Sequence, residues 1–169
     1  MDRVALIFET KYTDFVDVYR VDQDEYWEAA PERLRWAQHG ARAMEQQLAL
    51  HVLGDEADES APVIELLRLP PGYVLSRHHH SSNRFEIVIQ GSVTIGDTTL
   101  RAGDVFITAP GEDYGPLMAG PDGVFCVEMF SDSAGVDATF DMSSVDDERL
   151  ALMKKAARAL KEHGRTPSD

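Results

Sequence analysis

The chain of 169 residues has one cysteine, Cys126, and few basic residues for its size. A lone cysteine excludes an intrachain disulfide, so a disulfide-stapled scaffold is ruled out. The 16 lysines and arginines stand against 30 aspartates and glutamates, which gives a formal net charge of −14. A surface of this charge repels polyanions, so nucleic acid and anionic membranes are not expected as partners.

Long apolar runs are also missing, although 43% of the residues are hydrophobic. No stretch approaches the roughly 18 apolar residues of a membrane-spanning helix. The first residues, MDRVALIFETKYTDF, place charges where a secretory signal needs an apolar segment. The sequence therefore predicts a globular, cytoplasmic protein with one core, since a chain of this length buries about 70% of its unfolded surface.

Helical patterns flank a β-rich centre. Apolar residues recur at helical spacing over 30–48 and again over 144–163, where Ser144 and Asp147 resemble a capping box, and the runs LALHVL and PVIELLRL are typical of two strands. From 70 to 131, short β-rich runs alternate with turns that contain glycine or proline, which is typical of a barrel or sandwich.

The N-terminal stretch 3–21 is rich in Val, Phe, Tyr and Thr, and predicts one or two further strands. We therefore divide the single domain into three parts. These are N-terminal strands and a helix (1–60), a β-barrel core (61–135) and a C-terminal helix (144–163).

Three of the six histidines stand together as His78, His79 and His80. Alternate side chains of a strand point to opposite faces, so His78 and His80 share one face and His79 lies on the other. The pattern favours His78 and His80 as residues that line a pocket, and His79 as an outer residue.

The glycines around these histidines give the pattern a recognisable spacing. It resembles the first of two cupin superfamily motifs: G, five residues, H-x-H, three or four residues, E, six residues and G. The stretch LRAGDVFITAPG is similar to the start of the second motif: G, five residues, P-x-G, two residues, H, three residues and N. The matching residues are Gly72, His78, His80 and Gly91 in the first motif, and Gly103 and Gly111 in the second.

This resemblance implies an all-β fold with flanking helices. The expected core is a cupin-type antiparallel β-barrel, also called a double-stranded β-helix or jelly roll. An N-terminal strand–helix extension and a C-terminal helix would pack against it.

The sequence departs from the motifs at two positions that ligate metal in the family. Arg84 stands at the motif's glutamate and Tyr114 at its final histidine. A guanidinium has no lone pair to donate to a cation, so only His78 and His80 remain of the four ligands that the resemblance implies.

Glu86 offers a replacement carboxylate because it lies two residues beyond Arg84 on the same strand face, about 6.5 Å further along. With His78, His80 and a Tyr114 phenolate it could hold one divalent metal such as Fe, Mn, Ni or Zn. The alternative is that Glu86 pairs with Arg84 and the site works without metal.

Two functions follow from these candidates. In the first, the chain is a small-molecule enzyme, either a metal-dependent, dioxygenase-like one or a metal-free lyase, isomerase or cyclase. His78 and His80 act as ligands or base, Tyr114 as acid or ligand, and Arg84, with Glu86 beside it, binds an anionic or enolisable substrate. In the second, the chain is a non-catalytic, sensory cupin that binds a ligand or metal. A homodimer, formed by strand or face pairing, is expected in either case.

Overall fold

The computed structural model describes residues 20–162, which form three helices and nine strands. The helices are α1 (Asp24–Glu28), α2 (Arg35–Ala43) and α3 (Asp147–Glu162). The strands are β1 (Gln47–Val52), β2 (Val63–Leu69), β3 (Val74–Leu75), β4 (His78–His80), β5 (Arg84–Ile95), β6 (Thr98–Arg101), β7 (Val105–Thr108), β8 (Leu117–Phe130) and β9 (Ala138–Phe140). The strands expected within 3–21 lie outside the described residues, except for positions 20 and 21, which are not in a strand.

All the strand pairs are antiparallel. Seven strands form one sheet in the order β1-β2-β8-β5-β6, with β3 beside β8 and β7 beside β5, and β4 pairs with β9 in a second sheet. Hydrogen-bonded pairing does not close into a ring among the strands of residues 20–162. The β-rich architecture with flanking helices confirms the predicted fold class.

The central strands are longer than the sequence pattern indicates. The two runs RFEIVIQ and SVTIG form one strand, β5, which bends at irregularities around Gln90 and Gly91 where it pairs with β8. Gly91 has a φ of +76°, and a Cβ there would collide with the carbonyl of Gly123 on β8. Glycine at this position therefore allows β5 to continue through the bend instead of ending in a turn.

Both helices near the core differ from their predicted bounds. Leu48, the last residue of the predicted helical pattern and the first of the predicted strand LALHVL, lies in β1, and Glu45 takes a φ of +67° between helix and strand. The C-terminal helix begins at Asp147, and the Asp146 side chain accepts a hydrogen bond from the Arg149 N–H at 2.8 Å. Asp146 therefore caps this end, and Ser144 belongs to the preceding 3-10 turn.

The core lies between the inner face of the large sheet and the helices. Every second residue of β2 is buried, which places Val63, Leu67 and Leu69 in the main apolar cluster. Helices α2 and α3 contact each other over this face. No helix in the described range is long and apolar enough to span a membrane.

The three-part division of the chain stays a prediction. Strand β1, which lies within 1–60, pairs along its whole length with β2 of the 61–135 part. The first part therefore contributes a strand to the same sheet that carries the candidate site.

Candidate functional site

A cavity of about 320 Å³ lies between the inner sheet face and helices α2 and α3. This is within the volume range of small-molecule sites, roughly 300–1,000 Å³. Most of its wall is apolar, with contributions from Leu67, Val93 and Met153. A cluster of polar side chains lies in the same wall, namely Glu65, His78, His80, Arg84, Glu86 and Glu128, and Gln46 and Asp137 also line the cavity. The cavity can therefore hold a small ligand with an apolar body and a polar head.

The two predicted histidines lie side by side in this wall. His78 is 3% exposed and His80 is 7% exposed, and their ring centroids are 5.2 Å apart. His78 Nδ1 donates to the Ser76 carbonyl at 2.7 Å, and His80 Nδ1 donates to the Gly135 carbonyl. Since a carbonyl only accepts, each neutral ring carries its proton on Nδ1, which leaves Nε2 as the basic nitrogen.

Burial keeps both rings uncharged at neutral pH. Desolvation lowers the pKa of His78 to about 4, and the neighbouring His80 and Arg84 act in the same direction. Desolvation and then the Arg84 charge lower the pKa of His80 to about 3. Both residues are therefore in the form that can accept a proton or donate a lone pair.

Tyr114 is fixed against His78 through side chain and backbone. Its hydroxyl donates to His78 Nε2 at 2.8 Å, and the two residues also exchange backbone hydrogen bonds of 3.0 and 3.1 Å. Burial raises the pKa of Tyr114, so the phenol keeps its proton. Tyr114 is not among the residues of the cavity wall, and its link to the cavity runs through His78.

Arg84 lies at the start of β5 and is 3% exposed. Its guanidinium donates to the carboxylates of both Glu86 and Glu128. The Arg84 Cζ also lies 4.8 Å from the ring centroids of Phe106 and Tyr114, so aromatic faces cover the cation. Of the two alternatives for Glu86, the structure shows its pairing with Arg84, and it adds a second carboxylate that sequence reasoning missed.

Three glutamates form a row across neighbouring strands. Glu65 on β2 is directly opposite Glu128 on β8, which is directly opposite Glu86 on β5. Burial raises the pKa of Glu65 well above its usual range, and the charge of Glu128 adds to this while Arg84 opposes it. Burial and the charge of Glu128 thus favour the protonated form of Glu65, beside an ion-paired triad of Arg84, Glu86 and Glu128.

Sequence reasoning missed Glu65 and Glu128, although a signal was present. Both occupy positions of an alternating strand whose neighbours two residues away are apolar and buried, as in VIELLRL and VFCVEMF. An acidic residue at an inward position of a strand is costly unless it is paired or protonated, and so marks a candidate site.

The donors present do not fit a resident divalent metal. No group of three or more His, Cys, Asp or Glu side chains in residues 20–162 is placed to hold an ion. His78 Nε2 accepts a hydrogen bond from the Tyr114 hydroxyl, and the Glu86 carboxylate is ion-paired with Arg84, whose positive charge lies in the same wall. A protein metal site of this type usually has at least three ligands, and here the two histidines alone remain.

The other residues singled out in the sequence lie apart from this chemistry. His79 points away from its neighbours and hydrogen-bonds to Asp113 at 2.8 Å on the surface. Cys126 is 2% exposed and borders the cavity, and burial raises the pKa of its thiol. It therefore behaves as a small apolar wall residue.

Comparison with known proteins gives matches at the level of structure. No protein-family model matches the chain, and no curated protein matches it. One similar structure is an RmlC-like cupin from Ralstonia eutropha, with 17% identity over 73% of this chain and 80% of that chain and a TM-score of 0.45. A second is KdgF from Halomonas sp., with 18% identity over 50% of this chain and 78% of that chain and a TM-score of 0.38.

A third similar structure is a deletion mutant of Bacillus subtilis oxalate decarboxylase. It has 17% identity over 72% of this chain and a TM-score of 0.49, and this chain spans 35% of its length. The names of these neighbours agree with the cupin resemblance in the sequence. Because all three identities are below 25% and the TM-scores below 0.5, function has to be argued from this chain's own residues.

Proposed function

We propose that this chain is a small-molecule enzyme of cupin type, which acts inside the cavity on a small anionic or enolisable compound without a bound metal. The observation that carries the proposal is the cavity itself, whose apolar wall ends in a cluster of buried acid and base groups. Such a pocket with convergent polar groups of shifted pKa is the usual form of an active site.

His78 is the proposed base, with His80 beside it. Its Nε2 carries the lone pair, and the Nδ1 bond to the Ser76 carbonyl holds the ring in one orientation. Tyr114 supplies the acid, because its hydroxyl keeps its proton and is already bonded to Nε2. To accept a substrate proton at Nε2, His78 has to release this hydroxyl, since Tyr114 does not line the cavity. The pair can thus move one proton between two neutral groups.

Arg84 is the proposed anchor for negative charge on the substrate. Glu86 and Glu128 already bind its guanidinium, so an anionic ligand has to compete with two carboxylates. Charge that develops during reaction, as on an enolate oxygen, is stabilised by the same cation without displacing either glutamate.

The second candidate is a non-catalytic binding protein that senses a ligand. One observation favours it: His78, Arg84 and Glu86 are already hydrogen-bonded to other protein groups. Polar groups that already bond to protein partners stabilise a pocket more readily than they react.

Deuterium exchange tests the enzyme proposal without knowledge of the substrate. The protein, dialysed against a chelator, is incubated in D₂O with simple ketones and 1,3-dicarbonyl compounds, and loss of the α-proton signals is followed by NMR. We expect exchange above the buffer rate in the parent and its loss in His78→Gln, with His79→Gln as the matched control. Ligand binding without exchange would support the sensor instead. If the protein shows no binding and no exchange, the proposal is overturned.

A further inference from the structure

Glu65 stands out in the cavity wall because its carboxyl has no hydrogen-bond partner among residues 20–162. Its side chain borders the cavity, and the residue is 8% exposed. Glu86 and Glu128, its neighbours in the glutamate row, both accept hydrogen bonds from Arg84, whereas no hydrogen bond involves the Glu65 carboxyl within residues 20–162. The Glu65 oxygens are not among the fully buried atoms without a partner, so they are accessible from the cavity, and a ligand that enters it can bond to them.

The strand register explains why Arg84 does not pair with Glu65. Glu128 lies between them, directly opposite Glu65 on one side and Glu86 on the other. Two arms of the guanidinium are used by Glu86 and Glu128. Its remaining nitrogen, Nη1, is buried and has no partner in the described part of the chain. The described residues therefore supply no hydrogen-bond acceptor for Arg84 Nη1 at this end of the cavity.

The charges in the cavity wall limit which ligand group can supply that acceptor. Arg84 contributes one positive charge, and Glu86 and Glu128 contribute two negative ones. Asp137 adds another acidic side chain to the wall. A ligand carboxylate would bring further negative charge into a buried site that already has an excess, which is unfavourable at low dielectric.

We propose that Glu65 is the hydrogen-bond donor that recognises the ligand, and that the recognised group is an uncharged carbonyl oxygen, or the enolate formed from it, on an apolar body. The protonated Glu65 carboxyl donates to this oxygen, and the apolar wall beside Leu67 and Val93 holds the body. This inference rests on the proposed small-molecule site and narrows its ligand from anionic or enolisable compounds to neutral, enolisable ones.

The raised pKa of Glu65 supports this role, because burial and the charge of Glu128 both favour the protonated carboxyl. A carboxylic acid donates only while it is protonated, and an apolar, buried position beside another carboxylate maintains that state.

The test uses three one-ring probes that differ in their polar group: acetophenone, benzoate and benzylamine. Their dissociation constants are measured by ligand-observed NMR for the parent, Glu65→Gln and Glu65→Met. Glutamine keeps an N–H donor of the same shape, and methionine removes the donor. Thermal melting of all three proteins establishes that each is folded.

We expect acetophenone to bind the parent more tightly than benzoate or benzylamine. Loss of the donor in Glu65→Met should weaken acetophenone by about tenfold, which is the size of one buried hydrogen bond, and Glu65→Gln should stay within about threefold of the parent. Equal acetophenone binding by the parent and Glu65→Met would overturn the assignment.

Other outcomes separate this inference from the proposed function. If benzylamine binds the parent most tightly and this binding is lost in Glu65→Gln, Glu65 acts as a carboxylate acceptor, which contradicts the donor role. Tightest binding of benzoate would show that the cavity selects anions through Arg84. In both cases a small-molecule site remains, provided that a cavity-filling Val93→Phe variant abolishes binding. No binding of any probe would count against both proposals.

Discussion

The Tyr114 hydroxyl donates a hydrogen bond to His78 Nε2 across 2.8 Å, and the backbones of the two residues pair as well. The two residues lie 36 positions apart in the sequence. The proposed acid and base are thus coupled in the ground state, and the basic nitrogen of His78 is always covered by a donor in the absence of ligand.

Removal of the Tyr114 hydroxyl should destabilise the protein. In Tyr114→Phe, His78 Nε2 becomes a buried acceptor without a donor, so we expect a loss of about 1–3 kcal/mol in the free energy of unfolding. Urea unfolding at pH 7 measures it. The control is Tyr26→Phe, since the Tyr26 side chain packs against Trp27 without a hydrogen bond of its hydroxyl in the described part. Equal losses in both variants would show that the Tyr114 bond contributes nothing.

The buried histidines should make stability fall in acid. Burial lowers the pKa of His78 to about 4 and that of His80 to about 3, whereas an unfolded histidine titrates near 6.5. Below pH 6.5 the unfolded chain therefore binds more protons than the native state. The stabilisation present above that pH is lost as the pH falls toward 4, by up to about 1.4 kcal/mol per pH unit for each histidine.

The measurement is urea unfolding of the parent and His80→Gln between pH 7 and pH 5. Glu65 acts in the opposite direction, because its raised pKa makes the native state hold a proton that the unfolded chain releases. Because Glu65 is present in both proteins, its contribution cancels when the pH dependence of the free energy of unfolding in His80→Gln is subtracted from that of the parent. Val136→Ala, which loses buried apolar contact without losing a titrating group, should keep the slope of the parent. An unchanged slope in His80→Gln would refute the prediction.

Loss of Arg84 should be among the most damaging single changes. Arg84→Met leaves Glu86 and Glu128 buried without their cation, and we expect a cost of about 3–5 kcal/mol. The exposed pair of Arg35 and Glu32 gives a matched control, because Arg35→Met should cost no more than about 1 kcal/mol.

A compensated variant tests the cause of that loss. Arg84→Met combined with Glu86→Gln and Glu128→Gln removes both uncompensated charges, so it should recover much of the stability lost in Arg84→Met alone. If the triple variant is less stable than Arg84→Met, burial of unpaired carboxylates is not the reason for the loss.

Divalent metals should bind weakly and only through the histidine pair. With Glu86 held by Arg84 and two family ligands replaced, Fe(II), Mn(II), Ni(II) and Zn(II) gain at most two imidazoles from the protein. Calorimetric titration of protein made without an affinity tag should give weak binding that disappears in the double variant His78→Ala, His80→Ala. Tight binding that survives in this variant would place a metal site elsewhere.

The expected homodimer has a candidate surface on the outer sheet face. Phe85 on β5 is flanked by Ile107 on β7 and Met129 on β8, and Ile107 is 72% exposed. An apolar patch of this kind is usually covered by a partner. A second copy of this chain, which has a net charge of −14, can cover it with its own apolar patch, so that no charged group is buried. Light scattering should report a dimer for the parent and a monomer for Ile107→Lys, while Thr99→Lys on β6 should not change the mass. A monomeric parent would refute this.

The sequence by itself determined the β-rich fold class and one wall of the site. Alternation along a strand follows from the backbone alone, so His78 and His80 could be placed on one face and His79 on the other. The glycine spacing indicated the register of β4 and β5. Arg84 could be excluded as a metal ligand because a guanidinium has no lone pair to donate to a cation. These features depend only on residues close to one another in the chain.

Only the tertiary structure decided what these residues bind. Arg84 and Glu128 are 44 positions apart, and the row that joins Glu65, Glu128 and Glu86 exists because β2, β8 and β5 are neighbours in one register. No local pattern encodes that pairing, since it depends on the free energy of the whole sheet. The raised pKa of Glu65 has the same origin, because its two causes, burial and the neighbouring Glu128 carboxylate, are both products of strand pairing.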